Sequence, residues 1–398
     1  RPAEFCVLGM GKFGGRELNF SSDIDLIYCY SSPQGRTRGG SKEADGIELH
    51  RYFVKLAELL TRAVGQVTED GFVFRVDTRL RPDGNNGDLA VSISAAELYY
   101  ESWGQSWERA AMLKARPVAG NLALGEELLA RIEPFIYRRY LDFGMIEDIQ
   151  IMKQKINVSL NRKQESECNL KLGRGGIREI EFFIQALQLV NAGKKPHLRE
   201  RNSLKSLKLL LQEKLITAEE EQLLSDAYRF LRTAEHRIQI VQERQTHSLP
   251  KKSLEMLALA RRCGFTDEHE FQAELERQRA GVSGIFNDLF HSDEVEKEEL
   301  LPEVNFILDS ESDSDLVKDI LEERGFKNPD GAYDALNLLR GSSPDYRLTA
   351  RGGRCLDRLA PHMLNELLKS PSPDQALNNL ESFLKVLRAK TVFFSLLA

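Results

Sequence analysis

The chain has 398 residues, 41% hydrophobic and 29% charged, with a formal net charge of -6 and a pI of about 5.8. This is an ordinary globular composition, and the length suggests two or three domains with ample core. The acidic balance provides no global basic field for nucleic acid, so no nucleic-acid partner is expected. No signal-like segment or run of about 18 apolar residues occurs, so no membrane partner is expected either. Cys6, Cys29, Cys168, Cys263 and Cys355 lie far apart without a CxxC pair, which fits a cytoplasmic location and argues against structural zinc.

The chain opens on Arg1-Pro2 and enters a strand almost at once, as a fragment of a longer protein would. A glycine-rich turn follows, Gly9-Met10-Gly11-Lys12-Phe13-Gly14-Gly15, and then Ser22-Asp23-Ile24-Asp25. On a strand, Asp23 and Asp25 point to one side about 7 Å apart, while Ile24 points to the other. That spacing suits two-metal phosphoryl or nucleotidyl transfer. Glycines let backbone N–H groups approach a phosphate closely. Neither motif is specific alone; joined at this distance they suggest a nucleotidyltransferase.

Residues 43–66 read as a helix with Ile47, Phe53, Val54, Ala57, Leu60 and Val64 on its buried side. Residues 73–82 alternate like a strand, with Arg75, Asp77 and Arg79 on one face. The pattern leaves Asp77 open between a salt-bridged structural residue and a third metal ligand. Arg75 and Arg79 have the planar guanidinium that matches phosphate. Trp103 and Trp107, four apart, read as stapling a helix to the core rather than stacking on adenine. Arg109, Lys114 and Arg116 are open between a nucleotide site and a solvated helix face.

Residues 121–292 read as a helical bundle domain. A helix is expected over 176–192, stopped by Gly193. Another should start at the capping box Thr217-Ala218-Glu219-Glu220 and bury Leu223, Ala227, Phe230, Ala234, Ile238 and Val241. The 171–176 loop precedes a helix, so it is open between an anion site and a simple turn with Arg178 and Glu181 paired at i,i+3. His236 and His247 lack ligand spacing and read as structural or surface residues. Residues 293–315 read as an acidic linker, and 316–398 as a small helical domain with helix starts at Asn328-Pro329 and Ser372-Pro373.

Strand, helix, strand around Asp23, Asp25 and Asp77 resembles the DNA polymerase beta-like nucleotidyltransferase core. The whole then reads as an α+β catalytic domain over 1–120 followed by helical bundles, predominantly α overall. The segments 9–27, 75–82, 107–116 (Trp-Glu-Arg-Ala-Ala-Met-Leu-Lys-Ala-Arg) and 171–182 (Lys-Leu-Gly-Arg-Gly-Gly-Ile-Arg-Glu-Ile-Glu-Phe) resemble the bifunctional glutamine synthetase adenylyltransferase/adenylyl-removing enzymes. The wording around the glycines and Asn19-Phe20-Ser21-Ser22-Asp23-Ile24-Asp25 is similar to their N-terminal, adenylyl-removing half. The resemblance implies phosphorolysis of AMP from a tyrosine of glutamine synthetase, giving ADP, with Mg2+ held by Asp23, Asp25 and Asp77. It implies phosphate or nucleotide contacts from Gly11, Lys12, Gly14, Gly15, Ser22, Arg75, Arg79, Lys114 and Arg178, and the PII signal protein as a partner. The rivals are ATP-dependent adenylylation by the opposite half and a non-catalytic module sensing PII or glutamine.

Overall fold

The first five-residue apolar run has both faces covered. Phe5–Gly9 forms strand β1, buried from Cys6 onward. The computed structural model describes residues 2–38, 46–138, 168–241, 246–288, 301–309, 312–336 and 350–386. β1 pairs antiparallel with β2 (Asp23–Tyr30) on one side and with β5 (Arg116–Gly120) on the other. Cys6 faces Cys29 across the first pairing, and both are buried and unbridged. β3 (Arg75–Asp77) and β4 (Ala90–Ser92) run parallel to β2, beside its beginning and its end.

Parallel strands need a crossover. Between β2 and β3 it is α1's successor in the chain that supplies it: α1 (Gly11–Gly14) is a single turn after β1, and α2 (Leu49–Gly65) spans the sheet. Phe53 of α2 stacks on Tyr30 at 4.8 Å between ring centroids, and Tyr28 shares a 2.9 Å hydrogen bond with Thr61. Val54, Leu60 and Val64 pack against the same cluster. The described helix begins at Leu49, so residues 46–48 of the expected helix are not helical. Ile47 is tied by both backbone groups to Thr37, and Gly46 has φ +66, with any Cβ placed 2.0 Å from the Thr37 carbonyl oxygen. Residues 43–45 lie outside the described residues.

The expected strand over 73–82 shortens to Arg75–Asp77, because the backbone N–H of Arg79 turns back to Asp77 Oδ1 at 2.9 Å and Arg81 bonds Thr78. Beyond β4 come α3 (Ile93–Ser102), α4 (Ser106–Met112), α5 (Leu122–Arg131) and α6 (Glu133–Ile136). Trp103 caps the end of α3 and is 45% exposed, so it does not staple a helix to the core. α5 lies on β1 and β5, so sheet packing continues past residue 120.

The helical region contains α7 (Ile177–Asn191), α8 (Ser203–Gln212), α9 (Ala218–Gln239), α10 (Ser253–Arg262) and α11 (Glu268–Asp288), around Ile180, Phe183, Leu207, Leu231 and Phe271. The Thr217 capping box starts α9 with both reciprocal hydrogen bonds, Thr217 N–H to Glu220 at 2.7 Å and Glu220 N–H to Thr217 at 3.2 Å. Val241 lies past the end of α9 and is exposed. The described residues of Arg1–Ile146 and Glu167–His291 form one compact unit, holding both the sheet and these helices.

A second unit contains α12 (Glu303–Leu308), α13 (Ser314–Glu323), α14 (Pro329–Leu336), α15 (Ala350–Lys369) and α16 (Pro373–Val386), cored by Val317, Ile320, Leu336 and Leu364. α12 falls inside the stretch read as an acidic linker. Val304 and Ile307, one turn apart, are fully buried there, while Glu303 pairs with Arg324 at 2.8 Å. Within that stretch, Glu303–Leu308 is helical, while Asp313, Ser314 and Asp315 are exposed. Both Pro-marked starts, α14 and α16, are where the sequence puts them.

Candidate active site

Strand pairing builds the site. The parallel register sets Asp23 beside Arg75 and Asp25 beside Asp77. Ile24 is buried on the opposite face, and the carboxylates of Asp23, Asp25 and Asp77 are half-buried with ligand oxygens within 4.8 Å of one another. Burial first, and then the charges of Asp23 and Asp77, push the Asp25 carboxyl up to about 6, against the opposing pull of Lys171 and Arg79. Burial acts on Asp77 in the same sense, but the hydrogen bonds and charge of Arg79 outweigh it and leave Asp77 below the usual range. Arg79 Nε reaches both Asp77 oxygens, at 3.1 and 2.9 Å. Three convergent carboxylates, one driven toward neutrality by burial and by its neighbours, form a donor set suited to a hard divalent cation.

The glycine turn is shaped by close approach. Gly11 has φ +50, and a Cβ there would sit 2.9 Å from Asp25 Oδ2. The Gly14 and Gly15 N–H groups donate to the carbonyls of Met10 and Gly11, at 2.9 and 3.0 Å, so both are engaged inside the turn. Arg116 closes it by donating to the carbonyls of Gly14 and Phe13 at 2.9 and 3.0 Å. Ser22 Oγ lies 3.4 Å from Asp23 Oδ1. Arg75 donates to the Ser21 carbonyl and hydroxyl at 2.8 and 3.0 Å, pinning the entry of β2.

The other expected contact residues are placed differently. Lys114 is buried, and its ammonium meets Glu17 at 2.9 Å, Ser203 Oγ at 3.1 Å and Glu181 at 3.6 Å. Burial opposes its charge, but Glu181 and Glu17 prevail and raise its pKa. Arg109 is buried with its guanidinium 5.4 Å from the Phe135 ring centroid. Arg178 is exposed on the first turn of α7. Lys171, in the loop before it, is the cation of that segment whose charge acts on Asp25. Lys12 lies 3.5 Å from Glu235, a fully buried carboxylate on α9. His247, read from sequence as structural or surface, donates from Nδ1 to the same carboxylate at 2.6 Å.

Sequence assigns no contact between sheet and helices to Glu17, Asn19, Glu181, Ser203, Arg232 or Glu235. Their contacts between the sheet region and the helices span 67 to 223 positions, beyond the reach of any local pattern. The capped α9 was the one visible hint that a long helix lies ready to carry such groups.

The sheet, the glycine turn and the carboxylate cluster define a nucleotidyltransferase-like catalytic unit in an α+β protein. Residues 1–131 match the family described as glutamate-ammonia ligase adenylyltransferase, and residues 150–290 match that described as GlnD PII-uridylyltransferase. A bifunctional glutamine synthetase adenylyltransferase/adenylyl-removing enzyme of Nitrosococcus oceani is 41% identical over 404 residues, covering 100% of this chain and 41% of that protein. The enzymes of the same name from Pseudomonas aeruginosa and Shewanella loihica are 39% and 36% identical, again over 100% of this chain and 40% and 41% of theirs. The chain is homologous along its whole length to one part of the glutamine synthetase adenylyltransferase/adenylyl-removing enzymes, and it spans about two fifths of the length of these relatives.

Proposed function

We propose that this chain removes AMP from the adenylylated tyrosine of glutamine synthetase by magnesium-dependent phosphorolysis, giving ADP, in the control of nitrogen assimilation. The observation that carries this reading is the convergence of Asp23, Asp25 and Asp77 within 4.8 Å beside Gly11. The names of the relatives support the substrate, and the wording around Gly9 and Asp23 supports the removing half. The parallel β2–α2–β3 crossover suits a DNA polymerase beta-like core. The match of 150–290 supports the PII signal protein as a partner. We extend the proposal to a catalytic domain over 1–120, a helical bundle over 121–292 and a C-terminal helical domain from 316, in a cytoplasmic enzyme without nucleic-acid or membrane partners.

Asp23, Asp25 and Asp77 would hold Mg2+, which when bound neutralises charge on the phosphoryl oxygens and the departing tyrosyl oxygen. Arg79 fixes Asp77, and Ser22 lies against Asp23. Gly11 leaves room over Asp25 for the backbone to pass, and Lys12 and Arg75 place positive charge along the same turn and strand entry. A phosphate oxygen bonds to the α-phosphorus as the bond to the tyrosyl oxygen breaks, so the attacking phosphate becomes the β-phosphate of ADP. The phenol, with a pKa of about 10, leaves without a dedicated acid, and the proton of hydrogenphosphate balances the released tyrosinate.

Incubation with AMP-modified glutamine synthetase, magnesium and labelled phosphate should place the label in ADP. Unlabelled AMP as the main product would mean hydrolysis. A requirement for pyrophosphate, with ATP as product, would mean reversal of an adenylylating site. Either result rejects phosphorolysis.

A further inference from the structure

Glu235 is fully buried on α9, yet it meets four polar side chains. Its Oε1 bonds His247 Nδ1 at 2.6 Å and lies 3.5 Å from Lys12 Nζ. Its Oε2 accepts from Asn19 Nδ2 at 2.6 Å and from Arg232 at 2.7 Å. Gln239, one turn along α9, accepts from Asn19 at 2.9 Å, and Arg232 also donates to the backbone carbonyl of Glu17. Positions 12, 17 and 19 of the segment that runs into Asp23 are thus gripped from a single helix.

A buried ion is a poor way to add stability, since apolar groups of similar volume often serve the fold as well or better. The charge has a clearer use at Lys12. That residue follows Gly11, whose backbone passes against Asp25. Burial pushes the Lys12 ammonium toward neutrality, and Glu235 is the largest opposing influence. A lysine has three N–H donors, and the contact with Glu235 takes at most one in this geometry.

We propose that Glu235 is a positioning residue for the phosphorolysis above: it keeps the 11–19 turn in place and holds the Lys12 ammonium for phosphate groups bound at the carboxylate cluster. The inference rests on that reading. The helical region would then complete the phosphate site rather than merely flank it.

The test is a double-mutant cycle in the full chain with Lys12→Met, Glu235→Gln and both together, alongside Glu235→Asp. Two quantities are read: the affinity for ADP with magnesium and the kcat and KM for phosphate. Lys12→Met should weaken ADP binding by about tenfold or more, as loss of a charge-assisted phosphate contact does. Glu235→Gln should weaken it similarly, the double variant should be no worse than Lys12→Met, and Glu235→Asp should recover part of the loss. Multiplying losses in the double variant would overturn coupling through Lys12. So would near-normal ADP affinity in Lys12→Met, a result that stands even where Glu235→Gln fails to fold. ADP affinity answers the question whichever direction wild-type turnover takes, so failure of the phosphorolysis reading shows separately as absence of labelled ADP.

Discussion

Asp25 bears the conflict of the site. It is pushed up to about 6 by burial and by Asp23 and Asp77, so the metal-free chain holds mutually repelling carboxylates. Asp25→Asn should therefore raise the melting temperature in chelator while reducing turnover below about a tenth of wild type, since an amide is a poor substitute for an anionic ligand. Magnesium should raise the melting temperature of wild type by preferential binding to the folded state and have little effect on the variant. Melting curves with chelator and with magnesium check both; an equal magnesium shift in the two proteins would remove Asp25 from the ligand set. The Asp23/Asp25 spacing was legible because strand alternation is local. Asp77 was legible only as an open choice, since nothing in 73–82 shows that the strand stops at Asp77 and Arg79 folds back onto it.

Helices with local start signals were the easiest elements to read. The Thr217 capping box and the prolines at 329 and 373 act through neighbouring residues, and α9, α14 and α16 begin there. α12 was missed because its acidic flanks dominate composition while Val304 and Ile307 decide burial. The glycines were read as a phosphate cradle, but their local structure adds a packing reason. A Cβ on Gly14 would lie 1.9 Å from the Lys114 carbonyl oxygen and 2.5 Å from that of Gly9. Both obstacles are backbone, so Gly14→Ala should cost about 2–4 kcal/mol by overpacking. Gly284, exposed in the interior of α11, has no atom within 4 Å of such a Cβ. Gly284→Ala should stabilise by about 0.5–1 kcal/mol through helix propensity alone. Urea unfolding of the pair tests the contrast. Similar effects of the two substitutions would contradict the close approach at Gly14.

At the scale of the molecule, charge joins the sheet to the helices. Glu17, Lys114, Glu181 and Ser203 form one buried cluster, and Lys12, Asn19, Arg232, Glu235 and His247 another. Sequence could not show this, because each charge is unremarkable until folding brings in its distant partner. Both clusters make stability depend on pH. Burial would raise the Glu235 pKa, but the hydrogen bond from His247 and the charges of Lys12 and Arg232 hold it far below the usual carboxylate range.

A depressed folded pKa means that the unfolded chain binds the proton more readily. The stabilisation from Glu235 is thus complete above the unfolded value of about 4.3 and is lost as pH falls toward the folded value. Glu235→Gln should cost about 3–5 kcal/mol at pH 7, because Lys12 and Arg232 lose their buried counter-ion. The variant should also lose less stability than wild type between pH 6 and pH 3, by about 1–3 kcal/mol. Both tryptophans, Trp103 and Trp107, lie in the unit that contains Glu235, so urea unfolding followed by their fluorescence reports on that unit. Parallel acid limbs for the two proteins would show that Glu235 is not held ionised by its neighbours, and the coupling of α9 to the catalytic turn would need another cause.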